Sequence, residues 1–164
     1  MGVPASLKHD LGQDDGTVGS VMAVGALGTI TGALLVARVR RRLGFGVTWT
    51  GAVAVCGLSF AGLGWAGDVP VVAALSAAFL ACVAMAGTCS MSLRQEVTPE
   101  PLLGRVTSAF WTLHYSAAPI GAAVLTWAAE RHGTAPVGLV AGVCCVLIAV
   151  VALFTPVRRS DRRP

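Results

Sequence analysis

Residues 106–129 contain no Asp, Glu, Lys or Arg. Wound as a helix at 1.5 Å per residue, a run of that length crosses the roughly 30 Å hydrocarbon core of a bilayer. This constrains the chain more than any other feature, because similar uncharged runs fill most of its remaining length. Charged residues make up 12% of the sequence, against roughly 25% in ordinary soluble domains, and mean hydropathy is +0.74. The fold class predicted is all-α, a polytopic bundle of transmembrane helices.

The run is not uniformly apolar. At about 100° per residue, Ser108, Trp111, Thr112, Tyr115, Pro119 and Thr126 fall on one side, and Phe110, Leu113, Ala117, Ile120 and Val124 on the other. Unpaired polar groups are costly against hydrocarbon, so the first side is expected to meet a cavity or a polar packing seam.

About five spans are predicted, at residues 17–37, 45–66, 71–93, 106–128 and 137–155. Arg38, Arg40, Arg41 and Arg42 close the first, followed by Gly44 as a helix stop. Gly67, Asp68 and Pro70 turn the chain after the second. Pro99 and Pro101 break the loop between the third and fourth, where Thr98 is placed to cap a short turn. Pro136 opens the last span. Gly28 with Gly32, and Gly138 with Gly142, have the four-residue spacing that lets helix backbones approach closely, and both pairs are assigned to helix packing.

The basic stretches at 38–44 and 94–105 and the tail at 156–164 hold ten of the twelve Lys and Arg residues. These three regions share one side of the membrane in a five-span chain. The positive-inside rule then sets the N-terminal segment, 1–16, outside and the basic tail in the cytoplasm of a multi-pass cell-membrane protein. Arginine runs of this kind serve topology and contact with anionic lipid, and no nucleic-acid partner is assigned to them.

Cys56, Cys82, Cys89, Cys144 and Cys145 all sit in apolar segments and read as small hydrophobes. His9, Asp10, Asp14 and Asp15 read as a solvated loop, so no metal site is assigned. The spans hold no paired carboxylates, ligand-spaced histidines or nucleophile with a partner acid. Neither an enzyme nor a cofactor is therefore expected.

The segment VPASLKHDLGQDDGTVGSVMAVGALGTITGALLVARVRRRLG resembles part of the C-terminal half of major facilitator superfamily transporters: the end of helix seven, an outer loop, helix eight and its basic loop. RQEVTPEPLLGRVTSAF is similar to the loop leading into their helix eleven, and SAAPIGAAVLTW to that helix's Pro-Gly middle. The resemblance covers nearly the whole chain as helices eight to twelve, closest to exporters of drugs and siderophores. Arg38 falls at the arginine of a degenerate inter-helix motif, with Ala33 in place of its Gly and Ala37 in place of its Asp.

The family binds substrate near the bilayer midplane between two halves that rock to alternate access. The resemblance therefore implies a partial secondary transporter, a proton-coupled exporter of an unidentified small organic molecule. It also implies an N-terminal half missing from this chain, so that the chain is a fragment or a partner membrane chain supplies that half.

Within this frame Ser108, Trp111, Thr112, His114 and Tyr115, with Thr29, Thr31 and Ser76 from neighbouring spans, are the expected substrate-cavity residues. His114 lies roughly 13 Å along its helix from Arg105. It reads equally as a proton relay and as a neutral side chain bonded to a neighbouring helix. Arg38, Pro119 and Gly121 are the expected gating or hinge positions; anchoring for the first and a fixed kink for the other two are the alternatives. A competing function is a structural or regulatory membrane protein that binds a partner through its glycine seams.

Overall fold

The computed structural model describes residues 15–154, which form four helices and no strand: α1 (Asp15–Leu63), α2 (Val69–Val97), α3 (Glu100–His132) and α4 (Thr134–Phe154). The N-terminal residues 1–14, with His9, Asp10 and Asp14, and the basic tail lie outside the described residues. Three of the four helices are long and apolar enough to cross a membrane: α1, α2 and α4.

Four helices therefore stand where five spans are predicted. The difference lies at the first predicted loop. The expected loop at 38–44 contracts to one residue, because Arg38 to Leu43 continue the first helix and Gly44 alone turns the chain, at φ 79° and ψ 170°. Arginine is a good helix former whose long stem lets its charge reach out from the helix, whereas that backbone conformation is open mainly to glycine. The 49-residue α1 is thus two helical segments, 15–43 and 45–63, meeting at a break. The fourth predicted span is present as α3, but its polar and aromatic residues dilute its hydropathy and leave it outside the set of three apolar helices.

The loop predicted at 94–105 is also nearly absent. α2 runs on to Val97, Thr98 caps its end by donating its N–H to the Arg94 carbonyl at 3.0 Å, and α3 starts at Glu100. Pro101 sits in the first turn of α3, where a missing N–H costs nothing. Gly133, at φ 85°, ends α3, and α4 begins at Thr134, before Pro136.

Packing runs through small residues. A Cβ added at Gly28 or Gly32 would collide with the backbone of Ala77 or Ala81 in α2, so these helices touch at backbone distance. Val21 against Val72, and Val36 with Phe45 and Cys89, extend the seam in both directions. The matched order of these contacts makes 15–43 and α2 parallel. Segment 45–63 packs antiparallel on α4: a Cβ at Gly142 would lie 2.5 Å from the Gly57 carbonyl and 2.7 Å from Ala61 Cβ, and Gly64 abuts Ala135. Phe60 and Phe79, 5.6 Å between ring centres, tie 45–63 to α2.

An ion pair between Arg40 Nη2 and Glu96 Oε1, at 2.5 Å, places the 38–42 and 94–105 stretches at one end of the bundle. The close approach of Gly64 to Ala135 places the turns after α1 and α3 at the other.

Candidate functional site

α3 is attached differently from the rest. None of its residues is fully buried, and every residue from 111 to 127 is exposed, including Leu113 at 72% and Ile120 at 68%. The half-buried positions in its first half are Leu103, Thr107 and Phe110, spaced by three and four residues along one stripe. Phe110 at the end of that stripe, with Trp111 and His114 beyond it, faces α2 and segment 45–63 across a cleft of about 410 Å³.

The cleft is walled mainly by apolar side chains, among them Val53, Cys82, Val83, Phe110 and Trp111. Its polar lining includes Ser90, Arg94 and His114. Arg94, in the last turn of α2, crosses to α3, where its guanidinium carbon lies 3.6 Å from the centre of the Phe110 ring and 5.8 Å from that of Trp111. Its Nε donates to the Ser90 carbonyl at 3.2 Å, whereas its Nη1 is buried and has no hydrogen-bond partner. A cation held on an aromatic face is stabilised by the ring quadrupole, so this contact helps fasten α3 to α2.

Four aromatic rings of α3 form a connected set beside the cleft. His114 stacks on Phe110 with ring centres 5.9 Å apart and meets Trp111 edge-on at 5.6 Å. Tyr115 stacks on Trp111 at 5.4 Å. The histidine therefore has aromatic neighbours on its own helix and opens onto the cleft.

The structure brings only part of the sequence-expected site together. Trp111 and His114 line the cleft, and Tyr115 stands next to it. Thr112 is exposed, as is Ser108, whose hydroxyl donates to the Gly104 carbonyl of its own helix at 2.8 Å. Thr29 and Thr31 likewise donate to Gly25 and Leu27, at 3.3 and 2.8 Å, and lie away from the cleft. Ser76 is buried with its hydroxyl unpartnered and is not in the cleft lining.

Pro119 lies in the exposed length of α3, where it cannot donate to the Tyr115 carbonyl, and Gly121 faces open space. Arg38 is exposed; its neighbour Arg40 makes the interhelical contacts, to Glu96 and over the Phe45 ring at 5.6 Å.

Sequence reading missed Arg94 by assigning it to a loop, and placed Phe110 on the side opposite the expected cavity. One signal for Arg94 was its position four residues before Thr98. A helix that ends on a Thr-Pro turn carries Arg94 in its last turn, from where a long side chain reaches back along the bundle. Among the described residues no group of three His, Cys, Asp or Glu side chains is placed to hold a metal ion.

Long apolar helices packed at backbone distance, with a cleft between them that holds one cation, define a multi-pass helical membrane protein. Residues 1–164 match the family model described as Major Facilitator Superfamily, and the chain belongs to that superfamily of transporters. No curated protein and no solved structure matches it.

Proposed function

We propose that this chain forms part of a proton-coupled secondary transporter that exports a small organic molecule, in the manner of the drug and siderophore exporters it resembles. Five passes are assigned: the two segments of α1, then α2, α3 and α4, with the basic ends of 38–42 and 94–105 in the cytoplasm and the N-terminus outside. The observation that carries the reading is the cleft beside α3, where an ionisable His114 and an aromatic wall meet in a chain of a transporter superfamily. An imidazole can both bind and release a proton, and one inside a membrane-spanning helix suits proton exchange. The exposed polar face of α3, with Ser108, Thr112 and Tyr115, is assigned to the wall of a larger cavity that other transmembrane helices complete.

The rival reading, a protein that binds partners through its glycine seams, finds both seams filled within the chain: Gly28 and Gly32 by Ala77 and Ala81, Gly142 by Gly57 and Ala61.

The test uses inverted vesicles of native cells, where any partner is present, and measures uptake of a panel of small organic ions driven by an imposed pH gradient. Deleting the chain or replacing His114 by Ala is expected to reduce uptake of at least one ion about tenfold or more, the size of a lost acid–base group. Equal uptake in all three vesicle types would end the transport reading. Sidedness is checked separately in intact cells with a membrane-impermeant thiol reagent. A cysteine introduced at Asp68 is expected to be labelled and one at Arg105 protected.

A further inference from the structure

The Arg94 guanidinium carries more hydrogen-bonding capacity than its surroundings use. Its Nε is bonded to Ser90, its face is covered by Phe110, and its Nη1 is buried without a partner. Glu96, two residues on, is engaged by Arg40, and among the described residues no carboxylate pairs with Arg94. A second orphan lies on the same helix seam: the Thr107 hydroxyl, one turn before Phe110 and Trp111 on the half-buried stripe of α3, is buried and unpartnered. Buried polar groups left unpaired are costly, and Arg94, itself half-buried, leaves one nitrogen of a charged group in that state. The group that best relieves such a charge is an oxyanion, which accepts charge-assisted hydrogen bonds from a planar guanidinium.

The rest of the cleft sets the body of the ligand. Its wall is aliphatic and aromatic, and its volume of about 410 Å³ falls within the roughly 300–1,000 Å³ of small-molecule sites. Arg94, in the last turn of α2, sits toward the end of the bundle marked by the Arg40–Glu96 pair, while His114 stands one helical turn farther along α3 from Phe110. We infer that the cleft between α2, α3 and segment 45–63 binds an amphiphilic organic anion, its oxyanion on Arg94 and its apolar body against Val53, Val83, Phe110 and Trp111. Two sources share this chemistry, a soluble organic acid and the headgroup of an anionic membrane lipid. The inference rests on the transport reading only for calling a soluble acid the cargo; binding itself does not depend on transport.

The experiment is equilibrium binding of radiolabelled decanoate to the purified full chain in nanodiscs of phosphatidylcholine, so that binding and transport fail separately. Saturable binding is expected, weakened about tenfold or more by Arg94→Gln, the loss expected on removing a charge-assisted hydrogen bond, and partly restored by Arg94→Lys. Arg105→Gln, which removes an exposed cation from the next helix, is expected to leave it unchanged. Helix content by circular dichroism and a single size-exclusion peak confirm that each variant is folded.

Adding phosphatidylglycerol to the disc separates the sources. Competitive loss of decanoate binding identifies the lipid as the natural occupant, and retained binding identifies a soluble acid. Equal decanoate binding by the original chain and a folded Arg94→Gln variant, or competition by decanol as effective as by decanoate, would overturn the inference. So would the absence of saturable binding in both disc types together with no retention of phosphatidylglycerol by the purified chain.

Discussion

The seam between α1 and α2 and the length of α3 from Trp111 to Trp127 are both helix surfaces rich in small residues, yet one is packed to backbone contact and the other is open. In the first, Gly28 and Gly32 meet Ala77 and Ala81 so closely that no Cβ fits. In the second, Gly121 has nothing within 4 Å and every neighbour from 111 to 127 is exposed. Lipid is as apolar as leucine, so apolar area alone does not drive helices together in a membrane; close van der Waals contact between complementary surfaces does. A small residue holds two helices together only where the opposite helix presents another small residue in register. α3 lacks that match, and what attaches its first half includes a cation on an aromatic ring.

The sharpest way to break this comparison is the same substitution in both places. Gly28→Ala is expected to cost about 3 kcal/mol, the upper end of overpacking, because the Ala77 backbone must move. Gly121→Ala is expected to stabilise by about 1 kcal/mol through helix propensity alone. Thermal unfolding in detergent, followed by circular dichroism, reads both. Equal changes would mean that the seam is not where the stability lies.

Pro119→Ala comes next: restoring an N–H for the Tyr115 carbonyl is expected to raise stability by up to about 3 kcal/mol. If the same variant also slows transport, Pro119 acts as a hinge; unchanged transport would reduce it to a fixed kink. The smallest effect is expected from Glu96→Gln, which breaks the surface ion pair to Arg40. Its loss should be under about 1 kcal/mol and should vanish in high salt. A larger, salt-independent loss would show that this pair, rather than the glycine seam, holds that end of the bundle.

Much of the fold was legible in the sequence because a bilayer imposes a simple length rule. The uncharged runs and the glycine spacings at 28/32 and 138/142 are local properties of the chain. The helix boundaries were less legible. Arginine supports helix as readily as it marks a membrane edge, so the basic run at 38–42 continued α1 up to Gly44. Proline in a first turn starts a helix as easily as it ends one, so the stretch predicted as a loop at 94–105 narrowed to Thr98 and Pro99.

The site was legible only in part, for a different reason. The helical wheel of α3 separates polar from apolar side chains, and on that ground the cavity was expected on the side of Ser108, Thr112 and Tyr115. The structure turns Trp111 and His114, both expected there, to the cleft, but with Phe110 from the opposite side of the wheel beside them, its ring against the Arg94 guanidinium. Hydroxyls at 29, 31 and 108 are satisfied by the carbonyls of their own helix, which a single helix allows whatever surrounds it.

Sequence by itself determined that the chain is helical and built for a membrane, and where its small-residue seams lie, because each follows from composition and spacing along one strand of chain. Tertiary structure alone decided which helices those seams join, that α3 stands apart from them, and that Arg94 reaches into a cleft with His114 and Trp111. Those are relations between residues distant in the chain, set by which surfaces can approach within contact distance, and no local pattern encodes them.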